Sequence, residues 1–313
     1  MVHKGKLMDK NTQVLRSLRR NKSLLIMLIL PVTYYLIFHY GPMYGAQIAF
    51  KDYKFLKGIW GSKWVGFENF KFMFENPSFR RVFLNTLIIS FLKLIFGYPA
   101  PIIFAILLNE VYHVKFKKTI QTVTYLPHFI SWVVLVGLFR TFLSPSLGPI
   151  NIFLKAIGGQ PIFFIADPKW FRTVLVTTSI WKGFGWGSIV YLAAISSVDQ
   201  EQYEAATIDG ANRYQRALYI TLPSIIPVIT ITFIFAVGGI INDDFDQIYN
   251  FLNDAVLSVG DVISTYTYRR GLISYEYSYA SAVGLFKNVI GFILIIITNF
   301  ISKKVSDNEY GIW

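Results

Sequence analysis

Six long apolar runs constrain this chain more than any other feature of its sequence. Three contain no Asp, Glu, Lys or Arg and lie at 23–40, 119–139 and 217–241. The other three contain one lysine each and lie at 82–109 with Lys93, 173–198 with Lys182 and 277–302 with Lys287. A helix needs roughly 20 residues to cross the hydrocarbon of a bilayer, and backbone groups in lipid must pair within their own segment. The runs therefore predict an all-α integral membrane protein with six transmembrane helices.

The composition favours lipid as the solvent of these runs. Hydrophobic residues make up 54% of the 313 residues and charged residues only 15%, against about 25% charged residues in an average soluble domain. A transmembrane β-barrel would need alternating segments of about 10 residues, which the sequence lacks. A water-soluble core built from so many long runs is the less favoured alternative. The predicted organisation is a basic tail at 1–22, a membrane domain at 23–302 and a short tail at 303–313.

An even number of spans places both ends of the chain on the same side of the membrane. The first run is longer and more aromatic than the core of a signal peptide, and no small-residue cleavage pattern follows it. It is therefore predicted to remain as an anchor helix. If the ends are cytoplasmic, Lys and Arg number 14 on the inner side and 13 on the outer side. The positive-inside rule consequently leaves the orientation open.

Several kinds of chemistry are missing from the sequence. The net charge of +12 is spread over loops without an RNA- or DNA-binding module, so anionic lipid headgroups explain it better than nucleic acid. The absence of cysteine excludes disulfides, cysteine-based zinc sites and thiol catalysis. There is no P-loop for a nucleotide, and the four histidines lack metal-ligand spacing. We predict that the chain is not an enzyme and holds no metal or cofactor of its own.

A polar stretch at 199–223 separates two of the apolar runs. Asp199 is a good N-cap residue, and the acids that follow it are favoured by the dipole of a helix, so a short helix is predicted at 200–208. Gly210 suits the left-handed turn that ends a helix. A second helix, at about 212–219, is predicted to end at a leucine–proline pair. From the physics alone, such an insert fits a groove on a partner protein and a layer of lipid headgroups equally well.

The spacing of this stretch resembles the EAA loop of binding-protein-dependent ABC importer permeases. The residues that we assign to the loop are Glu204, Ala205, Ala206, Asp209, Gly210, Ile220, Leu222 and Pro223. Four further stretches resemble the LplB and alginate–pectin oligosaccharide branch of the carbohydrate-importer permeases, and they lie at 243–251, 265–272, 277–292 and 309–313. A proline often precedes the loop helix in relatives, whereas this chain has Val198-Asp199 there. Asp199 can cap the helix as well, so the difference puts little in doubt.

This resemblance implies a type I ABC importer fold and carbohydrate import across a bacterial plasma membrane. It implies four kinds of partner: a second homologous permease subunit, two cytoplasmic ABC ATPase subunits, an extracytoplasmic solute-binding lipoprotein and an oligosaccharide substrate. ATP and Mg would be bound by the ATPases. The EAA loop would dock into them as a cytoplasmic coupling helix, so both termini would be cytoplasmic. The alternative is a secondary transporter or channel without an ATPase, which would need carboxylates within its spans, and the six runs contain none.

Charged and aromatic residues in and beside the runs are candidates for the substrate path. A lysine at bilayer depth normally faces a bundle interior or an aqueous path. Lys93, Lys182 and Lys287 therefore either line a pore that favours an anionic, uronate-containing oligosaccharide, or pair with a partner subunit or snorkel to an interface. The aromatic residues that could stack on sugar rings are Trp186, Tyr191 and Tyr249. The acidic cluster consists of Asp243, Asp244 and Asp246 and lacks the spacing of a calcium loop.

Proline and glycine positions predict two local irregularities. Pro99 and Pro101 fall inside the second run, and a proline removes a helical donor and clashes one turn back. A kink or break is therefore expected near residue 98. Gly183 and Gly187 are four residues apart and share a helix face, which predicts close approach of another helix at this face.

Overall fold

The computed structural model of the protein describes residues 20–305. Most of the two tails predicted at 1–22 and 303–313 thus lies outside the described residues. The described chain is mostly helical. Its strands are β1 Lys51–Asp52 and β2 Lys63–Trp64, which pair antiparallel in a short hairpin.

The helices and turns follow one another along the chain without a long unstructured linker. In chain order the helices are α1 Lys22–Phe50, α2 Glu68–Glu75, α3 Pro77–Asn109, α4 Val114–Phe129, α5 Trp132–Phe142, α6 Pro149–Ala156, α7 Pro168–Ser196, α8 Gln200–Ile208, α9 Arg213–Gly238, α10 Phe245–Phe251, α11 Ile263–Tyr268 and α12 Tyr277–Val305. Shorter helical turns lie at Phe55–Lys57, Gly58–Gly61, Asp254–Val256 and Leu257–Gly260. Turns of π-helix lie at Leu36–Tyr40, Lys93–Gly97, Ala217–Thr221 and Arg269–Ile273.

The long apolar helices bear out a multi-pass membrane protein. Within the described residues, four helices are long and apolar enough to cross a membrane, namely α1, α3, α9 and α12. The bent pair of α4 and α5 raises the number to five if it counts as one span. The run predicted at 173–198 corresponds to α7, whose 29 residues extend about 43 Å at 1.5 Å per residue. This helix is long enough but less apolar, because Lys182 and several Thr, Ser and Gly residues lower its mean hydropathy.

The run at 119–139, which the sequence predicts as one transmembrane helix, is not a single straight helix in the structure. The chain instead bends by 105° between α4 and α5. Pro127 has no N–H group for the helix ladder, and Ile130 adopts an extended backbone. Ser131 then caps α5, since its hydroxyl accepts a hydrogen bond from Val134 N. The proline, the extended residue and the new cap together explain why the helix starts again in another direction.

At three other places a helix continues where prolines or glycines predict an end. The expected irregularity near residue 98 is present, as a π-turn at Lys93–Gly97 that leaves α3 continuous. The first apolar helix also runs past its expected end at 40 to Phe50, again through a π-turn. The short helix predicted at 212–219 merges with the following span, so α9 is one helix. A π-turn widens the helix by one residue, which gives a following proline ring room and explains these continuations.

The segment between the first two apolar helices forms an aromatic cap. Phe50, at the end of α1, stacks on Trp64 of β2 at 5.7 Å between ring centroids and meets Phe70 of α2 at 5.2 Å. Asn69 ties α2 to the hairpin by donating to the carbonyl oxygens of Ala49 and Lys51. The cap is therefore packed onto the bundle by rings and side-chain hydrogen bonds.

Three clusters of buried apolar residues hold the described helices together. The first joins α5, α7 and α10, and includes Trp132, Phe171 and Phe251. The second joins α2, α3, α11 and α12, and the third joins α3, α7 and α9. In contrast, the most apolar stretch of α1 has no buried residue. The segment after α9 thus folds back into the bundle, and α7 lies at its centre.

Gly185 and Gly187 of α7 allow close helix packing, whereas the sequence indicates Gly183 and Gly187. A Cβ atom on Gly185 would lie 2.2 Å from the backbone oxygen of Thr124 in α4. A Cβ atom on Gly187 would lie 3.2 Å from Pro101 of α3. Gly183, by contrast, has no atom within 4 Å of such a Cβ position. The close approach of α4 therefore depends on Gly185, which the four-residue spacing misses.

Gly185→Val should destabilise the protein while Gly183→Val should not. The added methyl groups at 185 would force α4 and α7 apart, and overpacking of this kind costs about 1–3 kcal/mol. The same substitution at 183 adds equal bulk to the same helix in open space. Thermal unfolding of the detergent-solubilised protein measures both variants, and equal stabilities would contradict the packing role of Gly185.

Candidate functional site

The polar stretch between α7 and α9 forms a capped helix, a glycine turn and the start of a long helix. The helix predicted at 200–208 is present as α8, and the Asp199 carboxylate accepts a hydrogen bond from Glu201 N at 3.0 Å. Gly210 has φ +82°, a left-handed conformation that a side chain disfavours. Asn212 then begins α9 with a capping box closed by Gln215. The local sequence signals therefore specify this stretch almost residue by residue.

Side-chain contacts attach α8 to α9 and, through α9, to the end of α3. The Tyr203 hydroxyl lies 2.9 Å from the Thr221 hydroxyl of α9. Arg216 donates to the Thr207 hydroxyl at 2.8 Å and pairs with Glu110, just after α3, at 3.8 Å. The Arg216 and Glu110 side chains are both mostly buried. A displacement of α8 would consequently reach α3 and α9 together.

The residues that we assign to the EAA loop divide between two elements. Glu204, Ala205 and Ala206 lie on α8, and Asp209 and Gly210 lie in the turn that follows it. Ile220, Leu222 and Pro223 lie within α9, where Ile220 and Leu222 are half-buried. The first group is exposed except for half-buried Ala206, and it leads to Ile208, which is 86% exposed. The residues on α8 and in its turn are therefore exposed for contact with a partner, whereas those within α9 pack into the bundle.

A cluster of charged residues lies in the interior, where the chain folds back after α9. The Asp243 carboxylate pairs with Lys287 of α12 at 3.1 Å and accepts a hydrogen bond from Ser264 N at 3.0 Å. Asp244 accepts from Trp132 Nε1 at 2.7 Å and from Gln247 N at 3.3 Å. All four carboxylate oxygens of these two residues therefore have a donor.

The three lysines occupy three different environments. Lys287 forms the ion pair with Asp243. Lys93 donates to the side-chain oxygen of Gln247, whose amide nitrogen donates in turn to α7. Lys182 donates to the carbonyl oxygens of Pro127, His128 and Ile130 at 3.3, 2.9 and 2.6 Å. These carbonyls lie at the break between α4 and α5, so Lys182 satisfies backbone groups that the bend leaves without helical partners.

A cavity of about 310 Å³ opens beside this charged cluster. Its walls come from α3, α7, α9 and the segment after α9, and they include Lys93, Tyr98, Ser179, Asp243 and Asp244. The predicted residues Lys93, Asp243 and Asp244 are thus brought together at one cavity. Lys182, Lys287 and Asp246 do not line it, and Asp246 is exposed.

The three predicted aromatic residues also differ in their placement. Trp186 is partly exposed and stacks on His128 at 4.5 Å between ring centroids. Tyr191 is 3% exposed, and its hydroxyl lies 3.0 Å from that of Thr232, so this ring packs in the interior. Tyr249 is partly exposed and stacks on Phe245 at 5.1 Å. Trp186 and Tyr249 consequently present ring surface, whereas Tyr191 does not.

Several residues of the site escaped the sequence reasoning. Gln247, Trp132 and Ser264 supply hydrogen bonds to the charged cluster, and Glu110 pairs with the polar loop. Only Gln247 had a signal, because it follows the acidic cluster directly. Within residues 20–305, no group of three or more His, Asp or Glu side chains is arranged to hold a metal ion.

The architecture is that of a multi-pass helical membrane protein with a cavity that charged and apolar residues line together, and with an exposed, capped loop. Residues 97–307 match the family described as binding-protein-dependent transport system inner membrane component. The chain belongs to this family. Its members are membrane components of transport systems and not enzymes.

Individual relatives place the chain within the family. It is 46% identical to protein LplB of Bacillus subtilis (strain 168) over 295 residues, which cover 94% of this chain and 93% of the relative. It is 40% identical to the polygalacturonan/rhamnogalacturonan transport system permease protein YteP of the same organism, over 97% of this chain and 94% of the relative. A solved chain from a bacterial alginate ABC transporter, in complex with an alginate pentasaccharide-bound periplasmic protein, has a TM-score of 0.86 and 40% identity, and covers 95% of this chain and 99% of its own length.

Asp243→Asn should destabilise the protein more than the double change Asp243→Asn with Lys287→Met. Removing one member of a buried ion pair costs about 3–5 kcal/mol, because the other charge stays buried and unpaired. The exposed neighbour Asp246 provides the control, since Asp246→Asn removes a charge from the same segment without breaking the pair. Thermal unfolding compares the three variants, and a double variant less stable than Asp243→Asn would show that the ion pair is not the source of the effect.

Proposed function

We propose that this chain is one permease subunit of an ATP-binding-cassette importer that moves an oligosaccharide across the bacterial plasma membrane. A second homologous permease completes the pore, and two cytoplasmic ATPase subunits bind ATP and Mg. An extracytoplasmic solute-binding lipoprotein delivers the sugar. ATP-driven closure of the ATPases switches the pore between inward-facing and outward-facing states, a rigid-body form of alternating access.

The observation that carries this proposal is the attachment of α8. An exposed helix of nine residues is held to α9 through Tyr203 and Thr207, and Arg216 of α9 pairs in turn with Glu110 after α3. A pull on α8 would therefore be transmitted to the bundle. Its exposed side, with Glu204 and Ile208, fits the groove of a partner better than it fits lipid headgroups, because α8 itself contains no Lys or Arg, whereas an interfacial helix carries them beside its apolar face. We infer that α8 is the coupling helix and that the ATPase subunit binds it.

This assignment implies six spans and fixes their orientation. The spans are α1, α3, the bent pair α4–α5, α7, α9 and α12. The lower hydropathy of α7 fits a helix that is surrounded by protein, as its central packing supports. With α8 in the cytoplasm, an even number of spans places both termini there, and the aromatic cap between α1 and α3 faces outward, towards the solute-binding protein.

The substrate that the relatives and the cavity favour is an acidic oligosaccharide. YteP is named for polygalacturonan and rhamnogalacturonan transport, and a solved neighbour of 40% identity is described as importing the acidic polysaccharide alginate. Lys93 is the lysine that lines the cavity beside the charged cluster, where its ammonium group would pair with the carboxylate of a uronate. Lys182 donates to carbonyl oxygens at the break between α4 and α5, and Lys287 pairs with Asp243. Lys93 is therefore the lysine that we assign to substrate selectivity.

A secondary transporter is the weaker candidate. The structure does bring two carboxylates to the cavity, the buried one of Asp243 and that of half-buried Asp244, although the six apolar runs contain none. Each of them is fully hydrogen-bonded, and Asp243 is paired with a lysine. A carboxylate held in this way is poorly placed to bind and release a coupling ion, so family membership and the EAA-like loop favour the importer.

Gly210→Val should abolish coupling while the protein still inserts into the membrane. A β-branched residue strongly resists the left-handed backbone, which costs even an ordinary L-residue about 1–2 kcal/mol, so the turn after α8 would change shape. Gly210→Asn is the matched control, because asparagine tolerates this conformation. Saccharide-stimulated ATPase activity of the reconstituted complex, with and without the loaded binding protein, measures coupling. Full stimulation in Gly210→Val would refute the coupling role.

Lys93→Met should lower transport of acidic oligosaccharides more than transport of neutral ones. The change removes the cation of the cavity but keeps an unbranched side chain that is only one atom shorter. Proteoliposomes supplied with matched acidic and neutral oligosaccharides and their loaded binding proteins compare the two rates. Lys182→Met serves as a contrast, and we expect it to lower the thermal stability without changing the preference. An unchanged ratio of acidic to neutral transport in Lys93→Met would contradict the role of this lysine.

A further inference from the structure

Another cavity, of about 460 Å³, lies between α11 and the start of α12. It is formed by α11, the π-turn that follows it and the first turns of α12, with Phe245 of α10 at its edge. It adjoins the charged cluster, because Ser264 lines it and the backbone N–H of Ser264 binds Asp243. None of the residues that line it is charged. The chemistry of this cavity therefore differs from that of the cavity around Lys93.

Two hydroxyl groups of this cavity have no hydrogen-bond partner within the described chain. Ser264 and Thr267 are three residues apart and share a face of α11, and their side-chain oxygen atoms are buried without a partner among residues 20–305. Their neighbour Thr265 differs, since its hydroxyl donates to the Asp261 carboxylate at 2.8 Å. A buried polar group that lacks a partner costs free energy. Hydroxyl groups of a ligand would supply the missing hydrogen-bond partners of Ser264 and Thr267.

Aromatic rings form the remaining wall, and they hold one another in place. Tyr268 packs against Phe245 and Tyr249, with 5.3 Å between ring centroids in each case. Tyr277, on the opposite side, packs edge-on against Tyr53 at 5.8 Å. Rings fixed in this way offer apolar surface at little cost in conformational entropy, because few rotamers remain to be lost. A ligand with an apolar face and peripheral hydroxyls matches such a wall.

We propose that this cavity is a saccharide subsite that takes one pyranose unit of the transported oligosaccharide. The C–H face of the sugar packs on Tyr268, and its hydroxyls bind Ser264 and Thr267. The uncharged lining suits the hydroxyl-bearing edge of the sugar, whereas Lys93 in the neighbouring cavity suits a carboxylate. The proposal rests on the function proposed above, since it assumes that the chain carries an oligosaccharide.

The absence of cysteine from this chain permits a direct test in the assembled transporter. Thr267→Cys places a single thiol in the cavity, and Thr141→Cys places one on the exposed surface of α5 as the control. The complex in lipid nanodiscs is treated with a maleimide, with and without an alginate pentasaccharide and its binding protein. Mass spectrometry of this chain measures the labelling rate. We expect the saccharide to slow labelling of Thr267→Cys and to leave that of Thr141→Cys unchanged.

Transport kinetics provide the second measurement. Thr267→Val and Tyr268→Leu should each raise the KM for saccharide transport about two- to tenfold, the effect of losing one hydrogen bond or one packing contact. Basal ATPase activity and the affinity of the binding protein for sugar should not change. Tyr268→Phe keeps the ring and should behave like the unchanged protein.

Three results would overturn the subsite. The first is a thiol at position 267 that resists the maleimide because the partner permease covers it. The second is labelling that the saccharide does not slow. The third is an unchanged KM in Thr267→Val and Tyr268→Leu. If these occur in a complex that still transports the saccharide, the subsite alone fails, whereas a complex that transports no saccharide overturns the proposed function as well.

Discussion

Two aspartates lie in the interior of a helical bundle, and the surrounding chain provides a donor for every one of their carboxylate oxygens. Lys287 and the Ser264 backbone bind Asp243, while Trp132 and the Gln247 backbone bind Asp244. Buried charge is tolerated only when it is paired and hydrogen-bonded. Satisfying these two residues requires α5, α10, α11 and α12 to meet around them. The return of the chain into the bundle after α9, and hence both cavities, depends on this network.

The same rule explains the break between α4 and α5. A bend of 105° leaves backbone carbonyls without helical partners, and in an apolar environment such groups must be satisfied within the protein. Lys182 reaches three of them. A lysine that looks costly at bilayer depth is therefore needed for the fold. Lys93 differs, because it lines the cavity beside the charged cluster. We assign Lys93 to the substrate, and Lys182 and Lys287 to the fold.

Local features of this protein could be predicted, and long-range ones could not. The helix at 200–208, its Asp199 cap and the left-handed Gly210 follow from neighbouring residues, and the structure contains all three. Continuous helices across Pro42 and Pro223 were missed, because π-turns are not visible in the apolar pattern. The prediction that Gly183, and not Gly185, allows close helix packing was wrong for another reason. Helical spacing gives a face of α7, but only the position of Thr124 decides which glycine must lack a side chain.

The sequence by itself determined that the chain is helical and membrane-embedded, and it located the capped loop at 199–223. These properties depend on the length of apolar runs and on residues within one or two turns of each other. The tertiary structure decided which lysine meets which partner, which aromatic rings are buried and where the cavities lie. Trp132 and Asp244, which share a hydrogen bond, are 112 residues apart. Contacts at such separations arise only when the helices pack, because packing and not local spacing selects the partners.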